Sequence, residues 1–425
     1  MSSRVLITGI GSVSSIGLTI QELTDSILKS DSGVSRKTRL DSILARSLPT
    51  AQIQLSDEEL KRRIPGLSCK HVYSRTALLG MLAASEAVAM AGLTPSNCKA
   101  AGLVNSTSAG GMDKGEFFYA DYLKSPTKGN LKFAQTHDCG DAAEQMAALL
   151  HIEQYITTIS TACSSAANAM MHGARLIKAG LCDVVVAGGS DAICKFTING
   201  FNSLMILSEE PCKPFDKNRT GLNLGEAAGY FVLESEASVK RRGAKPLAVL
   251  SGYGNACDAY HQTASSPNGE GAYLAMMQAI NVSGYKPTEI DYINAHGTGT
   301  QNNDMSESVA LLRIFSENLP PVSSTKAMTG HTLAAAGGIE AVMSVLAIQH
   351  GWIFPNKNFN DAIEETGIVP VTELQTNKTI KHILSNSFGF GGNNSSLLIS
   401  ACCSKTYTSM DYQVFQRNQR SMKHF

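Results

Sequence analysis

Short apolar runs of strand character alternate with longer helical segments along the chain. Residues 157–160 form one such run, a helical pattern follows over 164–178 until Gly180 ends it, and a second apolar run covers 183–189. A strand, a helix and a strand in this order are typical of a crossover between parallel strands. The pattern therefore predicts an α/β protein whose mostly parallel sheet lies between helical layers.

The alternation extends over most of the sequence. Before residue 157, strands are predicted over 5–9 and 101–105 and a helix over 75–84; after Pro246, strands are predicted over 247–252, 292–295 and 396–400 and helices over 272–282 and 337–350. Spacing alone does not reveal a duplication. No Pro-, Ser- or charge-rich linker divides the 425 residues, so one large globular unit is expected.

Charge and cysteine usage exclude several classes of protein. Lys and Arg together number 36, as do Asp and Glu, so no net charge attracts nucleic acid or an anionic membrane. The start of the chain lacks the apolar segment of a secretory signal, and no stretch approaches the ~20 apolar residues that span a bilayer. The ten cysteines lack metal-ligand spacing and are interpreted as reduced thiols, which predicts a cytoplasmic protein.

Cys163 is the candidate nucleophile. Segment 160–166 reads Ser-Thr-Ala-Cys-Ser-Ser-Ala, directly ahead of a helical pattern. The positive end of a helix dipole lowers the pKa of such a thiol and favours the thiolate. A lone cysteine is more often a packing residue. Two later motifs, His-Gly-Thr-Gly-Thr at 296–300 and Lys-Ala-Met-Thr-Gly-His at 326–331, favour the catalytic interpretation.

Together these segments resemble the β-ketoacyl-acyl-carrier-protein synthases of type I/II, the condensing enzymes of fatty acid and polyketide synthesis. The likeness runs from about Arg4 to about Ser400 and includes Pro-Phe-Asp-Lys-Asn-Arg at 214–219, Gly-Glu-Ala-Ala-Gly at 225–229 and Asn-Ser-Phe-Gly-Phe-Gly-Gly-Asn-Asn at 386–394. It implies a thiolase-like, duplicated α-β-α-β-α sandwich with mixed, mostly parallel sheets. Residues 1–245 would form the half with the nucleophile, 246–403 the half with both histidines, and 404–425 a polar extension.

The resemblance also implies the catalytic groups. Cys163 would carry the acyl group, while His296 and His331 would direct N–H donors at the enolate oxygen that forms when malonyl thioester loses carbon dioxide. Lys326 would tune the electrostatics of a histidine, with its own charge held by carboxylates. The matching acidic positions are Asp304, Glu307 and Glu340. For Asp304 and Glu307, a loop salt bridge without a catalytic role is an equally open interpretation.

Further positions follow from the same likeness. Backbone N–H groups of Cys163 and Phe390 would donate to the tetrahedral oxyanion. Phe390 would be the gating aromatic, with a core phenylalanine as the alternative, and Gly391 belongs to the glycine run that lets the backbone approach the acyl-enzyme. The residues expected near the acyl pocket are Ile193, Ile198 and Phe201. The residues that fit a structural monovalent cation are Asn294, Glu340, Ser385 and Asn386.

The chain departs from the family pattern at two positions. Asn393 stands where relatives commonly have threonine, which alters side-chain hydrogen bonding in the last loop. Met205 stands where many relatives place an arginine that meets the acidic carrier protein. A basic segment is a candidate to meet the carrier instead, with a solvated surface as the alternative. That segment contains Lys61, Arg62, Arg63, Lys70 and Arg75.

The expected activity is the decarboxylative condensation of an acyl primer with malonyl-acyl carrier protein, without a required cofactor. Expected partners are an acyl carrier protein, acyl and malonyl thioesters, and an identical or related subunit in a dimer. A ketosynthase dedicated to a polyene or polyketide pathway with a chain-length partner is one alternative. A non-catalytic partner subunit, which usually lacks the cysteine, is another. A degradative thiolase would use a second cysteine in place of the second histidine.

Overall fold

The computed structural model describes residues 4–68 and 71–402, so Lys70 and the predicted extension 404–425 lie outside the described residues. The strands are β1 (Val5–Ser14), β2 (Gly102–Ser106), β3 (Tyr155–Ile159), β4 (Val184–Asp191), β5 (Ala227–Ser235), β6 (Ala248–Cys257), β7 (Tyr292–Asn294), β8 (Val322–Ser323), β9 (His382–Gly389) and β10 (Asn393–Ser400). The helices are α1 (Ile20–Leu28), α2 (Ile43–Ser47), α3 (Asp57–Arg62), α4 (Arg75–Met90), α5 (Pro95–Lys99), α6 (Met112–Lys124), α7 (Lys132–Gln135), α8 (Asp141–Leu150), α9 (Ser165–Lys178), α10 (Lys195–Ser203), α11 (Glu236–Arg242), α12 (Glu270–Ser283), α13 (Gln301–Phe315), α14 (Lys326–Thr329) and α15 (Ala336–His350).

The described strands form one continuous sheet built from two equivalent halves. Their order is β3-β2-β4-β5-β1-β6-β10-β9-β7-β8, and Val5 of β1 lies opposite Leu250 of β6 where the halves join. In the first half α4, α8 and α9 connect β1 to β4, and in the second half α12, α13 and α15 occupy the same places between β6 and β9. The expected duplication is therefore confirmed.

The sheet is mixed, as predicted, but parallel pairing does not predominate. Among the described strands, β2 pairs parallel with β3 and β4, and β7 pairs parallel with β8 and β9. All other pairs are antiparallel. The reason is that β5 and β10 are each antiparallel to both of their neighbours. In addition, the alternation in the sequence did not predict β5 or β9.

Helices α9 and α15 form the central layer of the sandwich. They pack against each other and against strands of both halves, while α4 and α8 cover one outer face and α12 and α13 the other. Gly229 of β5 and Gly338 of α15 permit a close approach, since a Cβ on Gly229 would lie 2.4 Å from the carbonyl carbon of Gly338. This arrangement gives the expected α-β-α-β-α layers.

The stretch Leu333–His350, which contains α15, is predominantly apolar. Its 18 residues have a mean hydropathy of 1.3, so by length and composition it is the one described helix able to cross a membrane, yet 83% of it is buried inside the protein. Burial all round is typical of a core helix in a large protein.

The central layer also positions the candidate functional residues. Cys163 follows β3 at the start of α9, and His331 follows β8 shortly before the equivalent helix α15. His296 comes directly after β7, which pairs parallel with β8. The carboxyl ends of parallel strands meet at one edge of a sheet, so the topology brings the segments from both halves together.

Candidate active site

Cys163 lies on a tight turn between β3 and α9. The preceding residue, Ala162, has a left-handed backbone with φ of 51°, a conformation that a non-glycine residue adopts at some energetic cost. Ser165 Oγ accepts a hydrogen bond from the N–H of Thr161 (2.8 Å) and so closes the turn. The thiol is only 6% exposed, yet it lines a cavity of about 220 Å³.

His296 reaches the same cavity from a loop that two buried carboxylates hold by its backbone. Glu307 accepts hydrogen bonds from the N–H groups of His296 (2.9 Å) and Gly297 (2.8 Å). Asp304 accepts hydrogen bonds from the N–H groups of Thr298 (2.9 Å) and Gly299 (3.1 Å). Two roles were predicted for Asp304 and Glu307, a carboxylate that holds Lys326 and a loop salt bridge. The main contacts of both side chains are instead hydrogen bonds from backbone N–H groups, which hold the loop in shape.

Lys326 and Glu340 form the buried ion pair of the site. Both side chains are 1% exposed and in direct contact. The ammonium nitrogen of Lys326 also lies 3.2 Å from Nδ1 of His296. Of the three predicted carboxylates, Glu340 is thus the one that pairs with Lys326.

His331 completes the cluster of polar groups in the cavity wall. Its Nδ1 accepts a hydrogen bond from the N–H of Leu333 (3.1 Å), so the proton of the neutral ring is on Nε2. Nδ1 of His296 faces the Lys326 ammonium, which places the proton of that ring on Nε2 as well. The two rings lie 5.4 Å apart at 86°, and the site therefore holds two neighbouring N–H donors.

Burial sets the charge of these groups. It raises the pKa of the Cys163 thiol to about 11, although the N–H of Phe390 and the charge of Lys326 lower it. The expectation that the helix dipole gives a low pKa is not met, because Cys163 lies one residue before the N-cap of α9 and desolvation dominates. Burial and Lys326 lower the pKa of His331 to about 3 and that of His296 well below its ordinary value, so both rings are neutral.

Phe390 stands at the opening of the cavity. It begins the turn Phe390–Gly392, in which Gly391 has a left-handed φ of 81°. Its ring stacks on Phe201 with 5.8 Å between centroids, and Phe201 in turn lies 6.3 Å from the ring of His331. Both rings are half-buried and line the cavity that holds Cys163, and the gating role of Phe390 stays a prediction.

Only one of the three residues expected near the acyl pocket lines the cavity. Phe201 does so. Ile193 and Ile198 are 1% and 0% exposed and pack in an apolar cluster with Leu222, which itself lines the cavity. The two isoleucines therefore do not line the cavity themselves but pack behind Leu222, which does.

Three of the four residues predicted to hold a structural monovalent cation each have a buried side-chain oxygen. Oδ1 of Asn294, Oε2 of Glu340 and Oγ of Ser385 accept no hydrogen bond from any described residue. Asn294 and Ser385 lie opposite each other on β7 and β9, and Nδ2 of Asn294 donates to the backbone oxygen of Glu340 (3.1 Å). The side chain of Asn386, the fourth predicted residue, is instead bonded to Glu307 and Ser396.

The predicted basic segment is not one surface. Arg75 is 2% exposed and donates two hydrogen bonds to Glu226, at 2.7 Å and 2.9 Å. Lys61 forms a surface pair with Glu58. Met205, by contrast, is 89% exposed at the cavity opening.

Several residues of the site were not predicted from the sequence. Thr298 and Thr300, which belong to the quoted histidine motif, line the cavity together with Asn303. Behind Cys163, Asn393 bonds with Asn168, a contact across 225 residues. The departure at 393 was visible in the sequence, but its partner was not.

Two family models match the chain. The model of the beta-ketoacyl synthase N-terminal domain matches residues 2–238, and that of the beta-ketoacyl synthase C-terminal domain matches residues 247–360. A 3-oxoacyl-[acyl-carrier-protein] synthase 2 from Staphylococcus aureus (strain COL) is 33% identical over 414 residues, covering 93% of this chain and 98% of that protein. The protein of the same description from Coxiella burnetii is 34% identical over 415 residues, covering 93% and 98%.

Solved structures are similar over nearly the whole chain. The ishigamide ketosynthase/chain length factor has a TM-score of 0.89 at 31% identity, covering 95% of this chain and 100% of that one. The ketosynthase ApeO in complex with its chain length factor ApeC from Xenorhabdus doucetiae has a TM-score of 0.82 at 30% identity, covering 94% and 98%.

Proposed function

The chain belongs to the β-ketoacyl synthase family of condensing acyltransferases, and we propose that it joins an acyl primer held on Cys163 to malonyl-acyl carrier protein. The products are 3-oxoacyl-acyl carrier protein and carbon dioxide. One observation carries the proposal: the Cys163 thiol and the rings of His296 and His331 line a single buried cavity. No cofactor is required for this chemistry, because every bond change is polar.

In the first half-reaction the sulfur of Cys163 attacks the carbonyl carbon of the acyl thioester. Its raised pKa leaves the thiol neutral in the resting protein, so it gives up a proton as it attacks, and the departing carrier sulfur takes up a proton in exchange. The tetrahedral oxyanion accepts hydrogen bonds from the backbone N–H groups of Cys163 and Phe390. Collapse of this intermediate expels the carrier thiol and leaves the acyl group on Cys163.

In the second half-reaction the malonyl group loses its carboxylate as carbon dioxide. The electron pair of the broken bond moves into the thioester carbonyl, and Nε2–H of His296 and of His331 donate to the enolate oxygen. The enolate carbon then attacks the acyl carbonyl, the bond from that carbon to sulfur breaks, and Cys163 leaves as a thiolate that takes up a proton from solvent. Neutral imidazole rings suit this role because each can donate a hydrogen bond from Nε2–H to the enolate oxygen without transferring its proton.

A dedicated ketosynthase with a chain-length partner is the second candidate function. It is favoured by the likeness to the ketosynthase and chain length factor structures at 30% and 31% identity. Cys163 with both histidines argues against a non-catalytic subunit. No second cysteine is among the described cavity residues, which disfavours a thiolase.

The proposal includes a cytoplasmic dimer and an acyl carrier protein as partner. β3 is the edge strand of its half-sheet, and its Ile156 is 42% exposed, which suits pairing with a second subunit. The related ketosynthase AntDE is described in complex with the acyl carrier protein AntF. Met205 at the cavity opening offers an incoming carrier an apolar contact rather than a charge.

Intact mass spectrometry tests the proposal directly. The native protein and Cys163→Ala are mixed with carrier thioesters that range from short saturated to long polyunsaturated chains. The expected result is acylation of the native protein alone, followed by release of carbon dioxide when malonyl carrier protein is added. The chain that loads fastest separates fatty acid synthesis from a polyene pathway. A native protein that loads no chain, with or without a co-expressed partner subunit, contradicts the proposed activity.

A further inference from the structure

A polar cluster behind the nucleophile joins α9 to the beginning of β10. Oδ1 of Asn393 accepts hydrogen bonds from the side-chain amides of Asn168 (2.9 Å) and Asn255 (2.8 Å). The same oxygen lies 2.8 Å from the hydroxyl oxygen of Ser164. We call these four residues, Ser164, Asn168, Asn255 and Asn393, the asparagine clamp. A single side-chain oxygen of β10 thus gathers donors from two other segments of the chain, the start of α9 and β6.

On one side the clamp holds the residues that flank Cys163. Ser164 is the N-cap of α9 and follows the nucleophile directly. Asn168 donates a second hydrogen bond to Oγ1 of Thr161 (2.8 Å), two residues before the nucleophile. The turn that contains the left-handed Ala162 is therefore fixed at both of its ends.

On the other side the clamp holds the loop of Phe390. Asn393 is the first residue of β10 and follows the turn Phe390–Gly392 without an intervening residue. The loop also lies against the nucleophile turn, since a Cβ on Gly389 would be 3.0 Å from the carbonyl oxygen of Thr161 and 3.2 Å from the nitrogen of Cys163. Asn255, on the neighbouring β6, also donates to Oγ of Ser395 (2.9 Å), which anchors the start of β10.

The two segments joined by the clamp supply the two backbone donors of the oxyanion hole. Those donors are the N–H groups of Cys163 and Phe390, and each stabilises charge only if its distance to the developing oxyanion is correct. A misplacement of about 1 Å costs about 100-fold in rate when it affects reacting geometry. We propose that Asn393 is a positioning residue that sets the separation of these two donors. This inference rests on the proposed function.

The length of the side chain at position 393 matters. An asparagine oxygen is one bond farther from the backbone than the hydroxyl of a serine or a threonine. That extra length lets it accept hydrogen bonds from Asn168 and Asn255 together, both of which present amide donors toward it. Asn393 and its two asparagine partners thus form one unit in this chain.

The experiment compares acyl transfer with alkylation at the same sulfur. Native protein, Asn393→Ala and Asn393→Asp react with an acyl carrier thioester and, separately, with an acyl-N-acetylcysteamine thioester that needs no carrier docking. Alkylation of Cys163 by iodoacetamide is followed by peptide mass in parallel, because displacement at a saturated carbon forms no oxyanion. Asn199→Ala is the matched control, since it removes an asparagine amide that bonds to the Lys195 carbonyl oxygen on the surface of α10 (2.7 Å).

Asn393→Ala is expected to slow acyl transfer from both thioesters by about tenfold or more, with alkylation within about twofold of the native rate. Asn393→Asp keeps an oxygen in the acceptor position, so its ratio of acyl transfer to alkylation stays close to native even if its charge slows both reactions. Asn199→Ala leaves both rates unchanged. If Asn393→Ala does not fold, Asn255→Ala removes one donor to the same oxygen and is expected to lower the same ratio by about threefold.

Unchanged acyl transfer in Asn393→Ala, or equal slowing of acyl transfer and alkylation, overturns the inference and leaves the proposed function standing. A native protein that takes an acyl group from neither thioester overturns the proposed function and this inference together. The two failures are therefore distinguished by the native protein alone.

Discussion

The ammonium nitrogen of Lys326 lies 3.2 Å from Nδ1 of His296. Protonation of that ring nitrogen would bring two positive charges into contact, so Lys326 keeps the ring neutral and its proton on Nε2. Glu340, on the other side of the ammonium, pairs with the buried charge. The buried ion pair thus selects the tautomer that the proposed decarboxylation needs.

Lys326→Ala is expected to slow malonyl decarboxylation by about 100-fold while the protein remains folded. The fold survives because burial raises the pKa of Glu340 to about 7, so this carboxyl takes up a proton once Lys326 is gone. Release of carbon dioxide from malonyl carrier protein measures the rate of decarboxylation, and thermal unfolding shows whether the protein is folded. Lys61→Ala, at a surface ion pair, serves as control. Absence of soluble Lys326→Ala protein would show a mainly structural role.

Glu307→Gln tests whether the His296 loop depends on a carboxylate. A glutamine retains one acceptor oxygen but turns an NH₂ group toward a backbone N–H, so one of the two bonds to His296 and Gly297 is lost. Decarboxylation is expected to fall by about tenfold or more, and acylation of Cys163 by less than about threefold. Single-turnover assays of each half-reaction separate the two effects. Equal losses in both half-reactions would contradict the idea that Glu307 acts only through the His296 loop. Glu270→Gln, which alters a surface ion pair with Arg313, is the control.

The alkylation rate of Cys163 should keep rising with pH through pH 9 and beyond, because burial raises the pKa of this thiol to about 11. Lys326→Ala should move the rise to still higher pH, since the Lys326 charge lowers the pKa. Peptide mass spectrometry after iodoacetamide treatment measures the rate, with the exposed Cys257 as internal reference for the reagent. A plateau below pH 8 would mean that the dipole of α9 outweighs desolvation.

Exchange of potassium for a bulky organic cation at constant ionic strength tests whether the unpartnered oxygens of Asn294, Glu340 and Ser385 bind a cation. A bound cation stabilises the folded state by mass action, so its removal should lower the free energy of unfolding by about 1–3 kcal/mol. Ser385→Ala removes one of the three oxygens and should reduce the difference between the two salts. Identical unfolding midpoints of the native protein in both salts would argue against a cation site.

Local patterns predicted the elements whose residues repeat regularly. The helix predicted over 164–178 is α9, Ser165–Lys178, and that predicted over 337–350 is α15, Ala336–His350. β5, Ala227–Ser235, was not predicted although residues 227–233 carry no charge, because a short buried run does not by itself distinguish a strand from a helix.

The same limit applies to the site. Motifs indicated Cys163, His296 and His331 because their neighbours in sequence are characteristic. The burial of Arg75 could not be inferred, since its partner Glu226 lies 151 residues away. The direction of Ile193 and Ile198 depends on packing against Leu222, which only the assembled fold reveals.

Glu86 of α4 should make the stability of the folded protein depend on pH, independently of catalysis. Its carboxylate accepts the N–H groups of Ser12 (3.0 Å) and Ile20 (2.8 Å), yet burial raises its pKa to about 7. A carboxyl whose pKa is raised on folding stabilises the protein below its unfolded pKa, and this stability is lost as pH rises through the folded value. Urea unfolding should therefore show native stability falling by about 1–3 kcal/mol relative to Glu86→Gln between pH 5 and pH 8. A constant difference across that range would show that the two backbone donors, rather than desolvation, set the pKa of Glu86.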